Sequence, residues 1–108
     1  MIDHSEVKKV VLLLTIGLCD AIRNKTVSIR EAEHYLFSPR TMRLFEYDKD
    51  VKDIIHLCTE FDDIARLVPD PEALDRAIVD VKKRAETAIK KAPPCDYQQE
   101  PWLVKLMS

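Results

Sequence analysis

Apolar residues recur along this chain at helical intervals and are separated by charged ones, so the pattern predicts helices with polar outer faces. Between Val51 and Leu67, with Val68 just beyond, the positions Val51, Ile54, Ile55, Cys58, Phe61 and Ala65 return every three or four residues. That spacing predicts one amphipathic helix with a single buried stripe. From about Pro71 to Lys91, Leu74, Ala77, Ile78, Val81, Ala85, Ala88 and Ile89 share one side, while Arg76, Asp80, Lys82, Lys83, Glu86, Lys90 and Lys91 mostly take the other.

The first long helix, from Ile2 or His4 to about Asn24, reads differently. Val10, Val11, Leu12, Leu13, Leu14, Ile16, Leu18, Ala21 and Ile22 leave it no wide polar face, which predicts a central post surrounded by the other helices. Its β-branched residues also suit a buried strand, but about five turns without a breaker favour helix. Gly17 inside it costs about 1 kcal/mol relative to alanine, so close approach of a second backbone is the expected compensation. Asn24-Lys25 supplies the stop.

Helix starts are marked by side chains that accept backbone N–H bonds. Asp3 with Glu6, Ser28 with Glu31, and Asp50 with Asp53 each set a cap three residues before a carboxylate, and Asp70-Pro71-Glu72 puts proline at a first helical position. Ser28 opens a short helix through Phe37 with Ala32, Tyr35 and Leu36 inward. Ser38-Pro39 opens another, about Pro39 to Glu46, with Met42, Leu44 and Phe45 as its apolar residues. The class predicted is all-α: a compact bundle of about five helices, three long and two short, over residues 1–92. Pro93-Pro94 ends the last helix, and residues 93–108 form an extended tail. Tyr97, Trp102, Leu103, Val104, Leu106 and Met107 make that tail too apolar to be free. Either Trp102 and Leu103 fold back onto a groove between helices, or the tail is a docking peptide.

Composition narrows the function classes. The chain has 108 residues, 46% hydrophobic and 33% charged, which suits one globular core. A net charge of −2 lacks the clustered positive face of a general nucleic-acid binder and accommodates a basic partner more easily. The longest apolar run is too short to span a bilayer and no cleavage site follows it, so a cytoplasmic location is expected. Cys19, Cys58 and Cys95 are odd in number and widely spaced, so no disulfide framework is expected. Cys19 and Cys58 read as small core residues.

Candidate chemistry is sparse. One glycine cannot build a phosphate-cradling loop or a nucleophile elbow. His56 and Glu60, four apart, are the best metal-ligand pair, with Glu31, Glu33 or His34 as a third, but no repeated ligand pattern supports them. Cys58 and His56 are two apart, which turns them away from each other on a helix. No catalytic residue, metal or cofactor is predicted. What remains is an acidic stripe of Asp53, Glu60 and Asp63 with His56 between them, diluted by Lys49, Lys52 and Arg66. It is either an ordinary solvated face or a surface complementary to a basic protein.

The segments Ser28-Ile29-Arg30-Glu31-Ala32-Glu33-His34-Tyr35-Leu36-Phe37-Ser38-Pro39 and Asp53-Ile54-Ile55-His56-Leu57-Cys58-Thr59-Glu60-Phe61-Asp62-Asp63-Ile64 resemble a small all-helical family of bacterial proteins of about this length. The resemblance covers the first two thirds of the chain, and the tail from Pro93 looks peculiar to this protein. Such proteins look like the immunity partners of polymorphic and contact-dependent growth-inhibition toxins. That implies a cytoplasmic, non-catalytic protein that neutralises one cognate toxin, often a nuclease, one to one by covering its active site. A basic cleft that holds phosphates would attract the acidic stripe. Buried aromatic anchors would supply the affinity, so Tyr47, Phe61, Tyr97 and Trp102 join Asp53, His56, Glu60 and Asp63 as candidate contact residues. The rival reading is a small regulatory or adaptor protein that docks through its tail.

Overall fold

The computed structural model describes residues 4–108. Its elements are all helical: α1 (His4–Arg23), α2 (Ile29–Tyr35), α3 (Pro39–Leu44), α4 (Lys49–Thr59), α5 (Phe61–Leu67), α6 (Ala73–Lys91) and α7 (Trp102–Met107). The all-α class is as the periodicity predicts. The expected five helices become seven because the fourth is broken and the tail contains a helix of its own.

Caps explain most boundaries. Ser28 accepts from the Glu31 N–H at 3.0 Å and Ser38 from the Thr41 N–H at 3.2 Å, with Pro39 opening α3. Asp3 lies outside the described residues. At α4 the cap is Asp48, whose Oδ1 accepts from the Val51 N–H at 3.2 Å, and not Asp50. Asp48 also meets Lys8 of α1 at 3.0 Å, so the same carboxylate starts α4 and ties it to α1. At α1's end, the N–H groups of Lys25 and Thr26 return to the carbonyls of Ile22 and Ala21. Lys25 takes the left-handed conformation (φ 59°) of a Schellman stop. Asp70 accepts from the Glu72 N–H at 2.9 Å and pairs with Arg76, so the first regular helical residue is Ala73, two past Pro71.

The predicted Val51–Leu67 helix is interrupted at Glu60. Thr59 Oγ1 donates to the His56 carbonyl at 2.6 Å, and the Glu60 N–H bonds to the Leu57 carbonyl, one residue short of the helical repeat. A hydroxyl competing for a backbone acceptor ends the helix there. Phe61, the first residue of α5, keeps its predicted place in the core, edge-to-face with Phe37 at 5.9 Å.

Helices α1 and α6 run antiparallel: Arg23 meets Asp75 at 2.7 Å near one end, Lys82 meets Asp20 at 2.6 Å, and Lys9 bonds the Pro93 carbonyl near the other. Helix α4 packs against both. The core comprises Leu12 and Cys19 of α1, Val51, Ile55 and Cys58 of α4, Phe61 of α5 and Ile78, Val81 and Ala85 of α6, with Phe37 beside them. Thr15, buried among them, donates its hydroxyl to the Val11 carbonyl at 2.9 Å.

Helix α1 is not the surrounded post its composition predicts. Leu13 and Leu14 are 54% and 49% exposed, because the other long helices cover one side only. Gly17 also faces outward, and a Cβ built on it meets nothing within 4 Å. No backbone approaches it, so the expected compensation is absent. Tyr35, expected inward, is exposed and donates its hydroxyl to Glu31 at 3.1 Å, and Leu44, one of the apolar residues of α3, is exposed too.

Candidate functional site

The predicted contact residues fall into separate groups. Asp53, His56, Glu60 and Asp63 are exposed along α4 and α5, each already paired. Lys49 lies 3.5 Å from Asp53 and His56 Nε2 lies 3.2 Å from Glu60. Arg66 reaches Asp62 at 2.9 Å and Asp63 at 2.7 Å, and these carboxylates raise its pKa. Among the described residues, no three His, Cys, Asp or Glu side chains gather as metal ligands would. Burial and the neighbouring Cys19 push the Cys58 thiol far above its ordinary range, which disfavours its thiolate.

Tyr47 and Trp102 sit elsewhere, beside the first half of α1. Tyr47 packs edge-on against His4 at 4.7 Å and lies near Phe45 at 5.8 Å. Partial burial and the Asp48 carboxylate raise its hydroxyl pKa, with Lys8 opposing. Trp102 turns toward α1 and is half-buried, whereas Leu103, expected to fold back with it, stays 58% exposed.

The tail is the region where side-chain placement departs from the rest of the molecule. Lys105, the one charged residue of α7, points inward to Glu6 at 2.7 Å, with the two side chains 16% and 20% exposed. Leu103, Val104, Leu106 and Met107 are exposed. At 100° per residue, Leu103, Val104 and Met107 make one outward ridge, and Trp102 and Lys105 make the inner side. Trp102 Nε1 is buried without an acceptor. Glu6 Oε1 has no partner of hydrogen-bond geometry, but Lys105 stands close enough to satisfy its charge, and the ion pair is the better description of that atom.

Between the tail and α1 lies a cavity of about 640 Å³, larger than the roughly 300 Å³ cleft between α4 and α6. Val10, Leu13 and Pro94 give it apolar walls, and Tyr97, Trp102, Asp96 and Glu100 line it from the tail. Lys9, also in the lining, donates to the Pro93 carbonyl at 3.0 Å. Sequence reading singled out Trp102 and Tyr97 but missed Glu6, Lys105, Asp96 and Glu100. The available signal was a single lysine three residues after a tryptophan in an otherwise apolar segment.

The family model described as "Protein of unknown function (DUF3969)" matches residues 3–104. The chain belongs to the DUF3969 family. The DUF3969 match runs through Trp102 to Val104, so the segment from Pro93, read from sequence as peculiar to this protein, is largely shared with the family. No curated protein and no solved structure matches the chain. No described helix is long and apolar enough to cross a membrane.

Proposed function

We propose that this chain is a non-catalytic protein-binding domain that docks through α7 onto a basic partner. The observation that carries the reading is the inverted polarity of α7: its lysine is spent on an internal ion pair while Leu103, Val104 and Met107 face water. A short helix with an outward apolar ridge suits insertion into a partner's apolar groove. The charge around it selects the partner. With Lys105 held by Glu6, the tail's remaining charged side chains are Asp96 and Glu100, and neither has a cationic partner among the described residues. A basic rim around the partner's groove answers them.

Neutralisation of a toxin, the form suggested by resemblance to immunity proteins, is the specific version of this proposal. One observation favours an electrostatic steering face for it: the segment from Lys49 to Leu67 carries Asp50, Asp53, Glu60, Asp62 and Asp63 against Lys49, Lys52 and Arg66. Their surplus equals the whole chain's net charge of −2. Local pairing weakens that face but does not cancel it, and it would steer a basic nuclease toward the complex.

The test is affinity purification of the tagged chain from its native host, with two variants beside the wild type. Docking through α7 predicts a basic protein recovered one to one with the wild type and with Glu60→Lys/Asp63→Lys, but not with Leu103→Asp/Met107→Asp. The opposite pattern assigns the contact to α4 and α5 and overturns the α7 reading.

A further inference from the structure

We infer that the cavity between the tail and α1 receives a basic side chain, an arginine or a lysine, presented by the protein partner. The inference rests on the protein-binding reading and adds the chemistry of the partner's anchor. At about 640 Å³ the cavity lies in the size range of sites that hold compact ligands. Tyr97 lines it while remaining 92% exposed, so solvent reaches the space from the tail side.

Each class of occupant meets different groups there. An anion faces three carboxylates of the lining, Glu6, Asp96 and Glu100, against one cation there, Lys9, which donates to the Pro93 carbonyl, while Lys105 pairs with Glu6. A wholly apolar occupant covers Val10, Leu13 and Pro94 but takes water away from Asp96 and Glu100, two carboxylates that form no ion pair among the described residues. An arginine or lysine satisfies both demands. Its methylene stem packs on the apolar wall and its charged head reaches the carboxylates. The rings of Tyr97 and Trp102 in the same lining favour a cation further.

Trp102 is the only tryptophan of the chain, so its fluorescence reports on this cavity directly. The intact protein is titrated with acetyl-leucyl-arginine amide into the millimolar range. The control is the same peptide carrying citrulline, which keeps the shape and removes the charge. A saturable change with the arginine peptide is expected, at least tenfold weaker with citrulline. Asp96→Asn/Glu100→Gln should weaken arginine binding about tenfold. These amides keep the Asp96 acceptor for the Gln98 N–H, 3.0 Å away, and circular dichroism confirms folding. No saturable change, or equal response to both peptides, overturns the inference. The two failures separate in partner capture. If Leu103→Asp/Met107→Asp abolishes capture and Asp96→Asn/Glu100→Gln leaves it intact, the anchor inference falls and the protein-binding reading stands. If neither pair affects capture, the anchor inference and docking through α7 both fall.

Discussion

In α4, Val51, Ile54, Ile55 and Cys58 point inward while Lys49, Asp53 and His56 face water; in α7, Lys105 points inward while Leu103, Val104 and Met107 face water. The first arrangement follows from burying apolar surface, which drives folding at roughly 25 cal/mol per Å². The second gains little from that source. Its seat combines an ion pair with a half-buried tryptophan whose N–H lacks an acceptor, above a cavity. A region held in this way contributes little to the stability of the whole and leaves its apolar side free for another protein. The difference separates what makes the fold from what the fold presents.

The largest expected effect lies in the first region. Phe61→Ala removes a fully buried ring that meets Phe37 edge-on and should cost about 3–5 kcal/mol in chemical denaturation. Lys105→Met strands the mostly buried Glu6 carboxylate and should cost about 1–2 kcal/mol, between the values for exposed and buried pairs. The penalty should appear as local release of α7, seen as a red shift of Trp102 emission, with the global unfolding midpoint nearly unchanged. A large drop in that midpoint would mean that α7 belongs to the core's cooperative unit.

Gly17→Ala, on the uncovered side of α1, should stabilise the protein by about 1 kcal/mol in the same denaturation experiment. Destabilisation would mean that something does pack there. Leu103→Asp/Met107→Asp should shift stability by no more than about 0.5 kcal/mol per site, because both side chains already face solvent. A smaller effect concerns the start of α6. Arg76 and the Glu72 N–H hold the Asp70 pKa below its ordinary value. Its contribution should therefore be present above the unfolded pKa, near about 4, and lost as pH falls through the depressed folded value. Comparing the thermal midpoints of wild type and Asp70→Asn between neutral and acid pH checks this: the gap should close as pH falls.

Legibility in the sequence divides along the same line. Periodicity locates α4 and α6, Ser28 and Ser38 mark the starts of α2 and α3, and Asn24-Lys25 marks the end of α1, because each signal acts within a few residues of its effect. Spacing to Asp53 points to Asp50 as the cap of α4, whereas Asp48 takes that place and is also held by Lys8, far away in sequence. The break at Glu60 depends on the rotamer chosen by Thr59, which spacing does not reveal. The apolar composition of α1 predicts a surrounded helix because it counts apolar residues without counting the helices available to cover them. The polarity of α7 depends on Glu6 and Lys105 meeting from opposite ends of the chain. Read alone, the segment from Trp102 to Met107 gives no reason to turn its lysine inward.

The most direct test of the central claim is site-specific photocrosslinking in the native host, with the reactive group placed at position 103 on the ridge of α7 and, separately, at position 60 on α4–α5. The account predicts one discrete adduct with a basic protein from position 103 and none from position 60. An adduct from position 60 alone, or none from either position, would contradict docking through α7.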